Sequence, residues 1–114
     1  MARILVVEDD ASLREVVAMF LVKSGHEAVP VDGADKALKL ADDDEFDLVL
    51  TDLRLGRRSG LDVLSRFKEA APQTEVILMT AYSTVETAIE AMRRGAFDYV
   101  GKPFKLEEIS ITIE

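Results

Sequence analysis

The sequence predicts an α/β fold in which a parallel sheet is covered by helices on both faces. Short aliphatic runs alternate with segments of helical period along the whole chain, and the runs are apolar at successive positions instead of every second one. The length of 114 residues suits one domain with a single enclosed core.

Each element carries its own signal. "RILVV" (3–7) is an aliphatic, β-branched run suited to a buried strand. Leu13, Val16, Val17, Phe20 and Leu21 then recur at helical spacing, and Gly25 supplies a stop. "EAVPV" (27–31) is a second strand, and Pro30 argues for an edge position because it cannot donate to a ladder. After the Asp32-Gly33 turn, Ala34, Ala37, Leu38 and Ala41 mark a modest helix. "DLVLTD" (47–52) is a third strand, followed by a glycine-bearing loop. The next helix carries Leu61, Leu64, Phe67 and Ala71 and stops before Pro72. "EVILMT" (75–80) is a fourth strand, and a fourth helix over roughly 84–94 carries Val85, Ala88, Ile89 and Met92 before Gly95 closes it. "FDYVG" (97–101) is a fifth strand, and "KLEEISITIE" begins a fifth helix through Leu106, Ile109 and Ile113.

Right-handed crossovers leave few topologies for such a chain. The leading one is flavodoxin-like: a doubly wound five-stranded parallel sheet, order 2-1-3-4-5, with five helices in three α/β/α layers. The functional crevice of such a sheet lies at the carboxyl ends of its strands.

Composition excludes several classes of function. With 48% hydrophobic and 32% charged residues, the chain is globular and not disordered. It has no cysteine, so neither disulfides nor thiolate-held metal contribute, and a reducing, cytoplasmic setting is expected. "MARILVVEDD" meets acids too soon for a signal peptide, and no apolar run is long enough to span a membrane. The net charge of −8 would repel phosphates, so this domain itself is not expected to bind nucleic acid.

The strand ends carry the chemistry. The first ends at Glu8-Asp9-Asp10, the third at Asp52, the fourth at Thr80 and the fifth at Lys102. Taken singly these are ordinary residues: acids at a helix start, a turn aspartate, a β-branched strand threonine, a surface lysine. Together they place acids, a hydroxyl and an ammonium on one rim. Glu8, Asp9 and Asp52 form an oxygen-rich pocket suited to a hard divalent cation, which offsets their mutual repulsion. A cation there also lets an anionic phosphoryl donor approach Asp52, whose carboxylate can attack phosphorus to form an aspartyl phosphate. Thr80 and Lys102 can hold the other phosphoryl oxygens.

"ILVVEDD", "DLVLTDLRL", "VILMTAY" and "GAFDYVGKPF", in that order, resemble the receiver domain of bacterial two-component response regulators, the CheY-like superfamily. The resemblance covers nearly the whole chain. It implies that Asp52 is the phosphoacceptor and that Glu8, Asp9, Asp52 and the backbone carbonyl of Arg54 hold Mg²⁺ or Mn²⁺. It makes Thr80 the switch hydroxyl, Lys102 the phosphoryl-binding lysine within "KPF", and the Lys102-Pro103 bond cis. Asp10 is left to cap the first helix. Tyr99 matches the switch aromatic: phosphorylation draws Thr80 inward, Tyr99 turns towards the core, and the face made by the fourth helix, fifth strand and fifth helix repacks.

The implied donor is a sensor histidine kinase, and the implied role is a regulatory phosphoacceptor, not a turnover enzyme. "TAYSTVETAIEAMRRGAFDYVGKPF" further resembles receivers of the NtrC-like class, whose outputs are AAA+ ATPase modules acting on sigma-54, followed by a DNA-binding domain. On that reading residues 1–114 are one receiver domain, the N-terminal regulatory part of a longer protein. A homodimer would use the face of the fourth helix, fifth strand and fifth helix. Stand-alone and hybrid-kinase receivers, and a degenerate receiver working only as an interaction module, are the alternatives.

The loop after the phosphoacceptor departs from the family's usual Pro-Gly-Met-Asp-Gly: "GRRSG" (56–60) has no proline and is basic. Arg57 and Arg58 are expected to be solvated or to meet an acidic partner surface. Arg54 and Tyr82 flank the water route to phosphorus and are expected to slow autodephosphorylation. "DDDE" (42–45) reads as a solvated helix exit, and His26 as an exposed strand-start residue. Two enzyme-like readings fail on single positions. An aspartate-nucleophile phosphatase of the haloacid-dehalogenase kind needs an acid two residues after its nucleophile, where this chain has Arg54. A flavodoxin-type binder needs a hydroxyl- and glycine-rich phosphate loop where this chain has acids.

Overall fold

Five of the aliphatic runs pair into one parallel sheet. In the computed structural model, which describes residues 2–56, 58–80 and 85–101 and, for Thr80, Val85 and Ala88, only the backbone, the strands are β1 (Arg3–Val7), β2 (Glu27–Val31), β3 (Leu48–Asp52), β4 (Glu75–Thr80) and β5 (Asp98–Gly101). Their order is β2-β1-β3-β4-β5, the doubly wound order expected. Helices α1 (Ala11–Lys23), α2 (Ala34–Asp43), α3 (Gly60–Ala70) and α4 (Val85–Arg93) connect them. The fifth helix falls outside the described residues. No helix among the described residues is long and apolar enough to cross a membrane.

The two faces of the sheet divide the strand residues by parity. Leu5, Val7, Val49, Val76 and Leu78 point to one side and pack with Ala37 and Ala41 of α2, Val63, Leu64 and Phe67 of α3, and Ala91 of α4. Ile4, Val6, Leu50, Ile77 and Met79 point to the other side, against Val17 and Leu21 of α1. Each buried Val, Leu, Ile, Phe or Met among these contributes about 1.5–3 kcal/mol of hydrophobic burial. That explains the unbroken apolar runs: both faces of every central strand are covered. Pro30 sits on edge strand β2, exposed, as its missing N–H requires.

Helix ends follow local chemistry. Asp10 is the N-cap of α1, its Oδ1 accepting the Ser12 N–H at 3.0 Å and the Leu13 N–H at 3.2 Å. α1 ends in a turn at Gly25, whose φ of 93° favours glycine. Ser59 and Asp62 form a reciprocal capping box at the start of α3.

Four expectations need correction or refinement. Val16, Ile89 and Met92 lie at helical spacing but are about half exposed, at 48%, 47% and 50%; α1 and α4 bury narrower stripes than the period allows. Of the 42–45 acids, Asp42, Asp43 and Glu45 are exposed as expected, but two of the four are also paired: Asp42 accepts from Arg66 through both carboxylate oxygens, and Asp44 does the same from Arg3. Arg3 also bonds Glu27 and lies over the Phe46 ring, so it ties β1, β2 and the segment before β3 together. His26 is half-buried, its Nδ1 accepting the Ala2 N–H at 3.0 Å. Lastly, the 54–59 segment is a short antiparallel hairpin, pairing Arg54 with Ser59 and Leu55 with Arg58. Leu53 and Leu55 are buried and Gly56 takes φ 67°, so the loop is anchored without a proline. Arg58 is exposed, as expected, and pairs with Asp35 of α2 at 2.9 Å. Arg57 lies outside the described residues.

Candidate functional site

Sheet register builds the site. Val7 pairs with Thr51 across β1 and β3, so the chain leaving β1 meets Asp52 at the carboxyl end of β3. The backbone of Glu8 is fixed at two points: its N–H donates to the Val31 carbonyl at 3.2 Å, and Arg14 Nη1 donates to its carbonyl at 2.8 Å. Its side chain folds back so that Oε2 accepts the Asp10 N–H at 3.1 Å. The acidic triplet is thereby divided: Glu8 and Asp9 remain at the rim while Asp10 turns away to cap α1.

One carboxylate oxygen from each of Glu8, Asp9 and Asp52 lies within 4.8 Å of the others. Glu8 is 1% exposed and Asp52 7%, whereas Asp9 is open to solvent. Two buried carboxylates this close need compensating positive charge, because burial strengthens their repulsion. The donor set is all oxygen, with two buried carboxylates and one exposed. It fits a hard divalent cation that keeps several waters.

Asp52 is held by its neighbours. Its Oδ1 accepts the Arg54 N–H at 3.3 Å, and its carbonyl accepts the hydroxyl of buried Thr51 at 3.1 Å. The following peptide is pinned on both sides: Leu53 N–H donates to the Met79 carbonyl at 3.1 Å, and Gly60 N–H donates to the Leu53 carbonyl at 2.7 Å. The Arg54 side chain is exposed beside the site.

Thr80 follows Met79, which pairs with Asp52, and itself pairs with Gly101 of β5. Register therefore brings the ends of β1, β3, β4 and β5 to one rim. Lys102, the Lys102-Pro103 bond and Tyr82 lie outside the described residues. Tyr99 is half-buried; its ring packs on the cluster shared by α2, α3 and α4, and its hydroxyl lies 3.0 Å from that of Thr87 on α4. Sequence reasoning did not find Thr51, Arg14, Gly60 or Thr87. Thr51 and Arg14 donate to backbone carbonyls and Gly60 donates through its own N–H, contacts that no sequence pattern signals.

The response regulator receiver domain family matches residues 4–114. The response regulator protein FleR of Pseudomonas aeruginosa is 43% identical over 104 residues, covering 91% of this chain and 22% of that protein. The DNA-binding transcriptional regulator NtrC of Azospirillum brasilense is 37% identical over 113 residues, covering 99% of this chain and 24% of that protein. The chain thus spans about a quarter of the length of these relatives. A solved response regulator from Burkholderia pseudomallei, with a phosphorylated aspartic acid, a calcium ion and citrate, superposes with a TM-score of 0.93 at 29% identity, covering 100% of this chain and 67% of that one. With this match over nearly its whole length, on the doubly wound sheet described above, the chain belongs to the response regulator receiver domain family.

Proposed function

We propose that Asp52 is the phosphoacceptor of a two-component relay and takes its phosphoryl group from a phosphohistidine of a sensor histidine kinase. The observation that carries this reading is the convergence of Glu8, Asp9 and Asp52 within 4.8 Å at the carboxyl ends of β1 and β3. In the transfer, an Asp52 carboxylate oxygen attacks phosphorus, an O–P bond forms, and the P–N bond to the donor imidazole breaks, returning the electron pair to the ring. Glu8, Asp9, Asp52 and the Arg54 carbonyl would hold Mg²⁺ or Mn²⁺, which would supply charge neutralisation for the phosphoryl oxygens. Thr80 and Lys102 bind the remaining oxygens. The Arg54 N–H donates to Oδ1 and so helps to fix the orientation of the carboxylate.

The regulatory consequence follows from packing. Drawing Thr80 towards the phosphoryl group opens space beside Tyr99, and the Tyr99–Thr87 hydrogen bond links that ring to α4. Repacking of α4, β5 and the segment after Gly101 would then control a cytoplasmic output. The similarity to FleR and NtrC supports a longer protein in which this domain governs an AAA+ ATPase acting on sigma-54 and a DNA-binding domain; we propose homodimerisation through the same face. The domain acts as a switch and turns over no substrate beyond its own phosphoryl group.

Incubation with acetyl phosphate and Mg²⁺, followed by intact mass spectrometry, tests this. The expected outcome is one added phosphoryl group, lost with chelator and in Asp52→Asn. A chain that stays unmodified would make it an interaction module instead.

A further inference from the structure

Helix α3 begins against the backbone of the phosphoacceptor. A Cβ built on Gly60 would stand 2.1 Å from the Asp52 carbonyl oxygen and 3.0 Å from its carbonyl carbon and from the Leu53 Cα. Those are backbone atoms and cannot rotate aside. Both ends of the contact are fixed. The Asp52 carbonyl accepts the Thr51 hydroxyl, Leu53 is bonded to Met79 and Gly60, and the capping box at Ser59 holds the first turn of α3. Relieving a 2.1 Å Cβ–oxygen contact requires the Asp52–Arg54 peptides and the helix start to separate by about 1 Å.

We infer that Gly60 is a positioning residue for the divalent cation: by lacking a side chain it seats α3 directly on Asp52 and fixes the backbone that carries both the Asp52 carboxylate and the Arg54 carbonyl. This rests on the metal-dependent reading of Asp52 given above. Glycine is needed here for close approach and not for backbone freedom. Gly56, four residues earlier, has the opposite requirement, a φ of 67° with nothing within 4 Å of its added Cβ.

The two ions that suit oxygen donors read such a displacement differently. Mg²⁺ demands near-octahedral ligands at about 2.0–2.1 Å, whereas Ca²⁺ accepts irregular geometry at about 2.3–2.6 Å. A backbone shift of about 1 Å should therefore cost Mg²⁺ much more than Ca²⁺. General loss of stability would weaken both alike.

The test measures the dissociation constants of Mg²⁺ and Ca²⁺ by titration calorimetry for the wild-type chain, Gly60→Ala and Gly56→Ala. Gly60→Ala is expected to weaken Mg²⁺ at least about 10-fold while Ca²⁺ changes less than about 3-fold. Gly56→Ala should melt earlier yet keep both constants. Equal weakening of both ions by Gly60→Ala, or no weakening, overturns the role of Gly60 while leaving Asp52 as acceptor. A wild-type chain that binds neither ion overturns both. If Gly60→Ala does not fold, the wild-type Gly60 Hα resonances decide. They should shift on Mg²⁺ addition with the same midpoint as the Arg54 amide, and resonances that stay still would overturn the inference.

Discussion

Glu8→Gln should make the protein more stable without a divalent ion and less stable with one. The Glu8 and Asp52 carboxylate oxygens lie within 4.8 Å, and both residues are almost wholly buried. Two unit charges at that distance, in an effective dielectric of about 20, repel by about 3 kcal/mol. Asp9 is exposed and screened, so the Glu8–Asp52 pair sets the scale. Glutamine keeps the shape of the side chain and an oxygen to accept the Asp10 N–H, so little packing is lost. Favourable contacts to the glutamate charge are lost with it, which reduces the gain to about 1–2 kcal/mol, or roughly 4–8 °C in Tm. Saturating Mg²⁺ reverses the order, since an ion at about 100 times its Kd stabilises the wild type by about 2.7 kcal/mol and the variant by much less. Calorimetric melts in chelator and in Mg²⁺ should therefore cross. A variant that melts below the wild type in chelator, or gains as much from Mg²⁺, would refute the argument that these carboxylates are held together against their repulsion for a cation.

Asp10→Ala should lower stability by about 1 kcal/mol through loss of the α1 cap, with Mg²⁺ affinity unchanged; urea midpoints and calorimetry check both halves. The Arg3 guanidinium on both oxygens of Asp44 holds that carboxyl below its ordinary range. A depressed folded-state pKa contributes stability that is complete above the unfolded value of about 3.9 and is lost as pH falls through the folded one. Asp44→Asn should therefore be less stable near neutrality and show a shallower acid limb below about pH 4 in urea midpoints taken across that range. Arg54→Ala should speed decay of the phosphorylated form by opening the water route to phosphorus, measured by phosphate release; an unchanged lifetime removes the shielding role.

The sheet was legible because β1, β3 and β4 are buried on both faces and their residues are apolar at nearly every position. Rim chemistry was legible for the same reason: in a parallel sheet the residue after each strand falls on one edge, so Glu8, Asp9, Asp52 and Thr80 share it. Asp10 could be separated from its neighbours because a cap must stand at the start of α1. Side-chain outcomes that depend on distant segments were not legible. Asp42 and Asp44 read as solvent acids until Arg66 and Arg3, far away in sequence, reach them. The exposed Arg58 gives no sign in sequence of its Asp35 partner, which α2 brings beside it. Val16, Ile89 and Met92 share the helical period of core residues, and only the position of the sheet decides which face of a helix it covers. Gly60 is the extreme case, because its role lies in a side chain it does not have.

The most direct test of Asp52 as acceptor is chemical location of the phosphoryl group. After acetyl phosphate and Mg²⁺, borohydride reduces an aspartyl phosphate to homoserine, which peptide sequencing by mass spectrometry assigns to one position. Homoserine is expected at residue 52 alone, absent when Mg²⁺ is chelated. Homoserine at residue 9 or 10, or none in a chain that binds Mg²⁺, would contradict Asp52 as acceptor.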